Sequence, residues 1–283
     1  MFGPEEEQRD LGKGDSLPRV HSIILAAGYA TRLRPLTDHL AKPLLPLAGR
    51  PIVERIYDVL CSTRGIEAVH VVTNSRYAGK FREWAAVRDR PIPVHVHDDG
   101  TSTNETRRGA IGDVQYVVDQ ASLAQEDLLI VAGDNLLGPW MAAFVDFWQG
   151  HAAHGPASAT AVYRCPDPEL VKQYSVVELD ANDRLVSFVE KPAEPKSDLV
   201  GIATYGYHRA HVGLIREYLD AGNSPDQPGN FLAWLHGRAP VYGYAFEGEW
   251  MDIGNAAQLL AADNMVRAHE GKPARETYEV DAP

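Results

Sequence analysis

The sequence predicts an α/β fold, doubly wound around a mainly parallel, mixed sheet flanked by helices. Three observations carry that expectation. Short, almost wholly apolar runs alternate with stretches of helical period through the first half of the 283 residues. Such runs are how strands buried on both faces read, and their alternation with helices implies right-handed crossovers. Small residues or a Gly-Asp pair follow two of the runs at once, in the position where open α/β sheets bind ligands. The second half changes texture, with strand-like segments separated by turns.

Each element can be justified in order. Val20 to Ala26 (VHSIILA) is a continuous apolar run before a glycine. Pro51 then opens a helix whose Ile52, Val53, Ile56, Val59 and Leu60 share one face, and Gly65 closes the segment. Ala68 to Thr73 is a second strand, Arg76 to Val87 an amphipathic helix, and Pro93 to His97 a third strand. Gly109 to Gln120 reads as a helix, and Leu128 to Ala132 as a fourth strand running into Gly133, Asp134 and Asn135. Further strands are expected over Ala157 to Arg164, Ser175 to Leu179, Leu185 to Glu190, Gly201 to His208 and Val241 to Phe246. A turn at Ala181-Asn182-Asp183 makes two of them a hairpin. Helices are expected over His211 to Leu219, Phe231 to His236 and Ala256 to Ala268, and Trp84, Trp148 and Trp234 fall within helical patterns as core residues.

Residues 1–18 are charged and carry no hydrophobic region, so they read as a loose leader rather than a signal peptide. Residues 19–270 form a single domain, and 271–283 a similar loose tail. The net charge is −12, from 39 acidic and 27 basic residues, which argues against a general nucleic-acid surface. A local cationic pocket for a small anion is still allowed. No apolar run approaches membrane-spanning length, so no membrane partner is expected. The two cysteines, Cys61 and Cys165, lack metal-ligand spacing and fit a reducing, cytoplasmic setting.

Chemistry concentrates in LAAGYATRLRPLTDHLAKPLLPLAGRP, residues 25–51. It is not a Walker loop, because Leu33 stands five residues after Gly28. It is not a dinucleotide fingerprint, because Ala30 and Leu33 occupy the later glycine positions. A tight turn of small residues (Ala26, Ala27, Gly28, Ala30) remains, followed by Arg32, Arg34 and Lys42. Small residues let backbone N–H groups approach phosphate oxygens, and Arg and Lys supply the counter-charge. A solvated basic loop is the bland alternative, and a poor one in so acidic a chain. Asp134 ends an apolar strand and Asp252 lies in EWMDIGN after another; two such carboxylates can hold Mg²⁺ beside phosphates. Asp134 alone could equally cap a helix. Lys191, in EKP (190–192), could be a plain solvated cation or grip a second phosphorylated substrate. His95, His97 and Asp99 in VHVHDD could suggest a metal, but strand alternation alone explains them.

Taken together, LAAGYATRLRPLT (25–37), KPLLP (42–46), GDN (133–135), EKP (190–192) and WMDIG (250–254) resemble, in order, the signature of the sugar-1-phosphate nucleotidyltransferases. The resemblance spans about residues 20 to 265, and glucose-1-phosphate thymidylyltransferase-like enzymes share it most plainly. It implies a Rossmann-like fold with a nucleotide-binding half near 19–150 and a sugar-binding half near 151–270. It implies a nucleoside triphosphate and a sugar-1-phosphate as partners, Mg²⁺ as cofactor, and a homo-oligomer, since members often form dimers or tetramers. Arg32, Lys42 and Lys191 would be catalytic; Arg32 would steady the β- and γ-phosphates. Leu25, Ala26, Ala27, Gly28 and Thr31 would form the nucleotide loop, with Asn104 and Gly109 near the base. Asp134 and Asp252 would hold Mg²⁺. Lys191 would bind the sugar phosphate, Glu190 the sugar hydroxyls, and Asn135, Ser175 and Thr204 would line the acceptor site. The chain departs from the pattern at Ala27 and Ala30, where glycines are usual, and at Ser175 and near Thr204. The stretch 101–113 also lacks the glutamine usual in thymidylyl- and uridylyltransferases, which leaves the base open. A cyclitol phosphate is therefore an allowed acceptor. Competing readings are a cytidylyltransferase for a non-sugar phosphate such as phosphocholine, favoured by Tyr174, Tyr205, Tyr207 and Trp250, and a silent regulatory member of the fold. The second should have lost one of Arg32, Asp134, Lys191 or Asp252, and all four are present.

Overall fold

A computed structural model describes residues 19–86 and 89–280. Its strands are β1 (Val20–Leu25), β2 (Pro46–Leu47), β3 (Arg50–Pro51), β4 (Ile66–Thr73), β5 (Val94–Asp98), β6 (Asp127–Ala132) and β7 (Asn135–Leu136). They continue as β8 (Ser158–Arg164), β9 (Ser175–Leu179), β10 (Leu185–Glu190), β11 (Leu199–Tyr207), β12 (Val241–Phe246) and β13 (Met251–Asp252). The helices are α1 (Ile52–Cys61), α2 (Ala78–Ala86), α3 (Ala110–Ala121), α4 (Trp140–Ala152), α5 (Pro168–Val171), α6 (Arg209–Val212), α7 (Leu214–Asp220), α8 (Pro228–Leu235) and α9 (Ala256–His269).

Nine strands form the central sheet, in the order β10-β9-β11-β6-β1-β4-β5, with β8 and β12 branching from β11. The first half supplies the parallel run β6-β1-β4-β5. Following the pairings outward, seven of the nine strands share one direction, and β10 and β11 oppose them. The sheet is thus mixed and mainly parallel.

Strand alternation divides the core. Ile24 of β1 joins Tyr57, Phe81, Phe144 and Trp148 beneath α1, α2, α4 and α9. Its neighbour Ile23 joins Val117, Tyr207, Ile215 and Phe231 beneath α3, α7 and α8. β1 is covered on both faces, which is why its sequence is apolar without a break. A Cβ on Gly206 would lie 2.4 Å from Trp148, so the strand is bare there to admit the indole.

The expected elements are found within a few residues, with three differences. The helix expected over His211 to Leu219 is two, α6 and α7, joined at Gly213. The end of the helix expected to reach residue 87 lies outside the described residues, as does the leader over 1–18. The tail is not loose over 271–280. Lys272 Nζ donates to Ala48 O at 2.8 Å, Arg275 N to Asn264 Oδ1 at 2.7 Å, and Tyr278 OH to Pro46 O at 2.7 Å. The bonds to the Ala48 and Pro46 carbonyls, which join segments far apart in the chain, could not be read from local composition. Cys61 and Cys165 are free thiols. No helix among the described residues is long and apolar enough to cross a membrane.

One feature of the sheet creates the site. The C-terminal half of β11 pairs with β6 through Thr204 to Tyr207, while Val200 and Gly201 pair with β9. Between the two partners, beyond the carboxyl end of β6, a cavity opens over Ile202 and Ala203.

Candidate active site

The turn after β1 is held by its carbonyls. Thr73 Oγ1 donates to Ala26 O at 3.2 Å, Asn74 Nδ2 to Ala27 O at 2.9 Å, and Thr37 Oγ1 to Ala30 O at 2.9 Å. Backbone N–H groups from Ala27 to Arg32 make no hydrogen bond among the described residues. Pinned carbonyls and open donors are the features of an anion-binding turn. Ala30 adopts a left-handed φ of 44°, so an alanine occupies a position that glycine would take without strain. Gly133 permits close approach from the other side, because a Cβ there would lie 2.7 Å from Leu25 O.

Two clefts meet above this turn. The smaller, about 110 Å³, is lined by Leu25, Ala26, Gly28, Ala30, Lys42, Pro43 and Asp134. The larger, about 310 Å³, holds Asp134, Asn135, Ser175, Glu190, Lys191 and Asp252 among its lining. Leu25 and Asp134 belong to both.

At the junction the ribbon β7-β13 pairs Asn135 with Asp252 and so brings the two acids together. Asn135 Nδ2 donates to Asp134 Oδ1 at 3.0 Å and to Asp252 Oδ1 at 3.4 Å. Trp250 Nε1 donates to Asn135 Oδ1 at 2.6 Å and so orients the amide. Lys42 Nζ donates to Asp134 Oδ2 at 2.5 Å and to Ile253 O at 2.8 Å. Burial, then the Asp134 charge, push Asp252 up to about 6, against the pull of Lys42, Lys191 and Arg32. Burial, then Asp252, push the Tyr174 hydroxyl up to about 12. A crowded pair of hard oxygen donors whose charges disfavour each other fits Mg²⁺, which takes one or two carboxylates and completes its shell with phosphate oxygens and water.

At the far end of the larger cleft, Ser175 Oγ donates to Glu190 Oε2, and Lys191 Nζ lies 3.5 Å from Glu190 Oε1. Lys191 has a φ of 45°, and its N–H donates to Tyr174 O at 3.1 Å. The backbone therefore turns at the lysine and leaves it on the cavity wall.

The two clefts thus gather the small-residue turn after β1, Lys42, Asp134, Asn135, Ser175, Glu190, Lys191 and Asp252. Arg32 and Thr31 stand exposed on the rim. Asn104 and Gly109 come to neither cleft. Asn104 is exposed in a short turn, and Gly109, with φ 81°, packs its Cα against Pro225 O. Thr204 is a correction. It is buried outside the lining of the larger cleft, and its Oγ1 has no hydrogen-bond partner among the described residues. Reading the sequence missed Gln173 and Gln227, two amides in that lining. No local pattern marks either residue.

Residues 21–269 match the model of the nucleotidyl transferase family. The chain belongs to that family. Two solved structures share the nucleotidyl transferase fold seen here. One is a Bacillus anthracis protein described as a candidate glucose-1-phosphate thymidylyltransferase, in complex with a sucrose. It is 20% identical, with a TM-score of 0.72, over 88% of this chain and 95% of that one. The other is a UDP-glucose pyrophosphorylase complexed with UDP-glucose. It is 17% identical, with a TM-score of 0.75, over 89% of this chain and 99% of that one.

Proposed function

We propose that this nucleotidyl transferase moves a nucleoside monophosphate from a nucleoside triphosphate to a sugar-1-phosphate or pseudo-sugar phosphate, releasing pyrophosphate. The observation that carries this reading is the meeting of two clefts at one carboxylate, Asp134. One cleft has the open N–H groups of a phosphate turn; the other has a carboxylate, a hydroxyl and amides suited to a polyol.

The acceptor needs no general base, because a phosphate monoester has a second pKa of about 6 and is already ionised at pH 7. Its oxygen forms a bond to the α-phosphorus while the bond from that phosphorus to the bridging oxygen breaks. The electron pair leaves with pyrophosphate. The protein's task is to align two anions and absorb charge. In this reading the turn and Arg32 hold the triphosphate tail, and Lys42 sits between the two substrates. Lys191 holds the acceptor phosphate, while Glu190 and Ser175 face its hydroxyls. Asp134 and Asp252 would hold Mg²⁺, which supplies charge neutralisation on the phosphates.

A screen of pyrophosphate release over five triphosphates and a panel of 1-phosphates, with phosphocholine included, tests the proposal. At least one sugar or cyclitol phosphate is expected to react only when Mg²⁺ is added. Release with phosphocholine alone would move the acceptor class, and no release from any pair would end the catalytic reading.

A further inference from the structure

We infer that Ser175 is a specificity-determining residue: it makes the Glu190 end of the larger cleft accept hydrogen bonds and donate none. The inference rests on reading that cleft as the acceptor site. It narrows the acceptor class to a polyol phosphate that brings a free hydroxyl to this wall, against one that is deoxygenated or alkylated there.

Ser175 opens β9 and is directly opposite Glu190 of β10 on one side and Gly201 of β11 on the other. Opposed residues share a face of the sheet, and all three line the larger cleft. Gly229, in the first turn of α8, joins them in that lining. A Cβ on Gly229 would lie 2.9 Å from the Phe188 ring and 3.2 Å from Ser175 Oγ. A Cβ on Gly201 would also lie 2.9 Å from that ring. Phe188 therefore takes the space beside both glycines and keeps them bare. Between Gly201 and Glu190 the wall carries the Ser175 side chain, which is buried.

A hydroxyl has one proton and two lone pairs, whereas a carboxylate has lone pairs alone. The Ser175 proton goes to Glu190 Oε2, and the Lys191 ammonium, 3.5 Å from Oε1, balances the charge. With that proton committed, Ser175 and Glu190 both turn lone pairs to the cleft. A ligand hydroxyl can donate to Ser175, which donates to Glu190, and in such a chain each bond polarises the next. A ligand without a donor leaves these lone pairs dry and unpaired. That penalty is how a polar site rejects an analogue lacking one hydroxyl. Alanine or glycine at 175 would remove the first acceptor of the chain and untie Glu190.

The test compares the full wild-type chain with Ser175→Ala and Ser175→Gly by pyrophosphate release in the presence of Mg²⁺. The acceptors are the sugar or cyclitol phosphate that reacts fastest in the screen above, its monodeoxy analogues, and its monodeoxyfluoro analogues, whose fluorine cannot donate. At one ring position, wild type should lose at least ~100-fold in kcat/KM whether the hydroxyl is removed or replaced by fluorine. Both variants should lose ~tenfold on the parent acceptor and far less on the analogues of that position, so that the discrimination there shrinks to ~tenfold. The loss should fall on the KM of the acceptor and not on that of the triphosphate. A serine that merely holds the strands together would lower parent and analogues alike, and equal losses would overturn the inference. So would a fluoro analogue that reacts like the parent, or a wild type indifferent to every deoxygenation. If no phosphate releases pyrophosphate, the functional reading fails and takes the inference with it. Release with the wild-type discrimination intact in both variants removes the inference alone.

Discussion

Asn135 accepts from an indole and donates towards two carboxylates, so a single amide sets the spacing of the acids at the junction. Replacing either acid by its amide keeps the volume and removes a charge. Asp134→Asn and Asp252→Asn should each lower turnover by more than ~100-fold, with an unchanged circular dichroism spectrum, if the acids ligate the metal. Asn135→Ala should cost ~10- to 100-fold, the usual range for a group that only orients ligands. Pyrophosphate release at saturating substrates measures all three, and a fully active Asp252→Asn would remove that residue from the metal site. The acids were legible in the sequence because Asp134 stands at the end of one apolar strand and Asp252 follows another, each near a glycine. The bridging role of Asn135 was not, because its partners Trp250 and Asp252 lie more than a hundred residues away.

Among the elements, β11 carries the tightest packing constraint and β4 the most unusual polar one. Gly206→Ala would drive a Cβ into Trp148, 2.4 Å away, in a core with no slack. It should cost about 1–3 kcal/mol, read as a lower denaturant midpoint with an unchanged slope. On β4, His70 lies 3.1 Å from His21 and 2.9 Å from His97, nitrogen to nitrogen, so the VHVHDD pattern continues a ladder of imidazoles across three strands. Burial, then His97, lower His70 to about 3; burial also lowers His21 and His97. These groups are neutral when folded and take protons when unfolded below about pH 6.5. Their contribution is therefore whole above that pH and is lost as pH falls towards 3, by up to about 1.4 kcal/mol per unit from His70 alone. Melting temperature should decline across that window in wild type and less so in His70→Gln. An identical decline in both would remove the ladder as its cause. Alternation along β5 was visible in the sequence, but the register that stacks three strands was not.

For the molecule as a whole, the second half extends the first half's sheet through the pairing of β11 with β6, and the tail ties back to the Pro46–Ala48 segment. Removing residues 271–283 deletes the bonds from Lys272, Arg275 and Tyr278, each worth about 1 kcal/mol, and should lower stability by about 1–3 kcal/mol in a urea titration. No change would mean that the tail merely rests on the surface. The sequence by itself determined the order of strands and helices, because burial on two faces demands unbroken apolar runs and helices demand their own period. It also determined which motifs carry charge, because small residues, cations and acids at strand ends are local features. Only the tertiary structure decided which of these meet. β11 divides its edge between β6 and β9, and that opening makes the larger cleft. Gln173 and Gln227 line that cleft, whereas Thr204 and Asn104 line neither cleft. Side chains point according to register and crossover, and those depend on contacts between segments far apart in the chain.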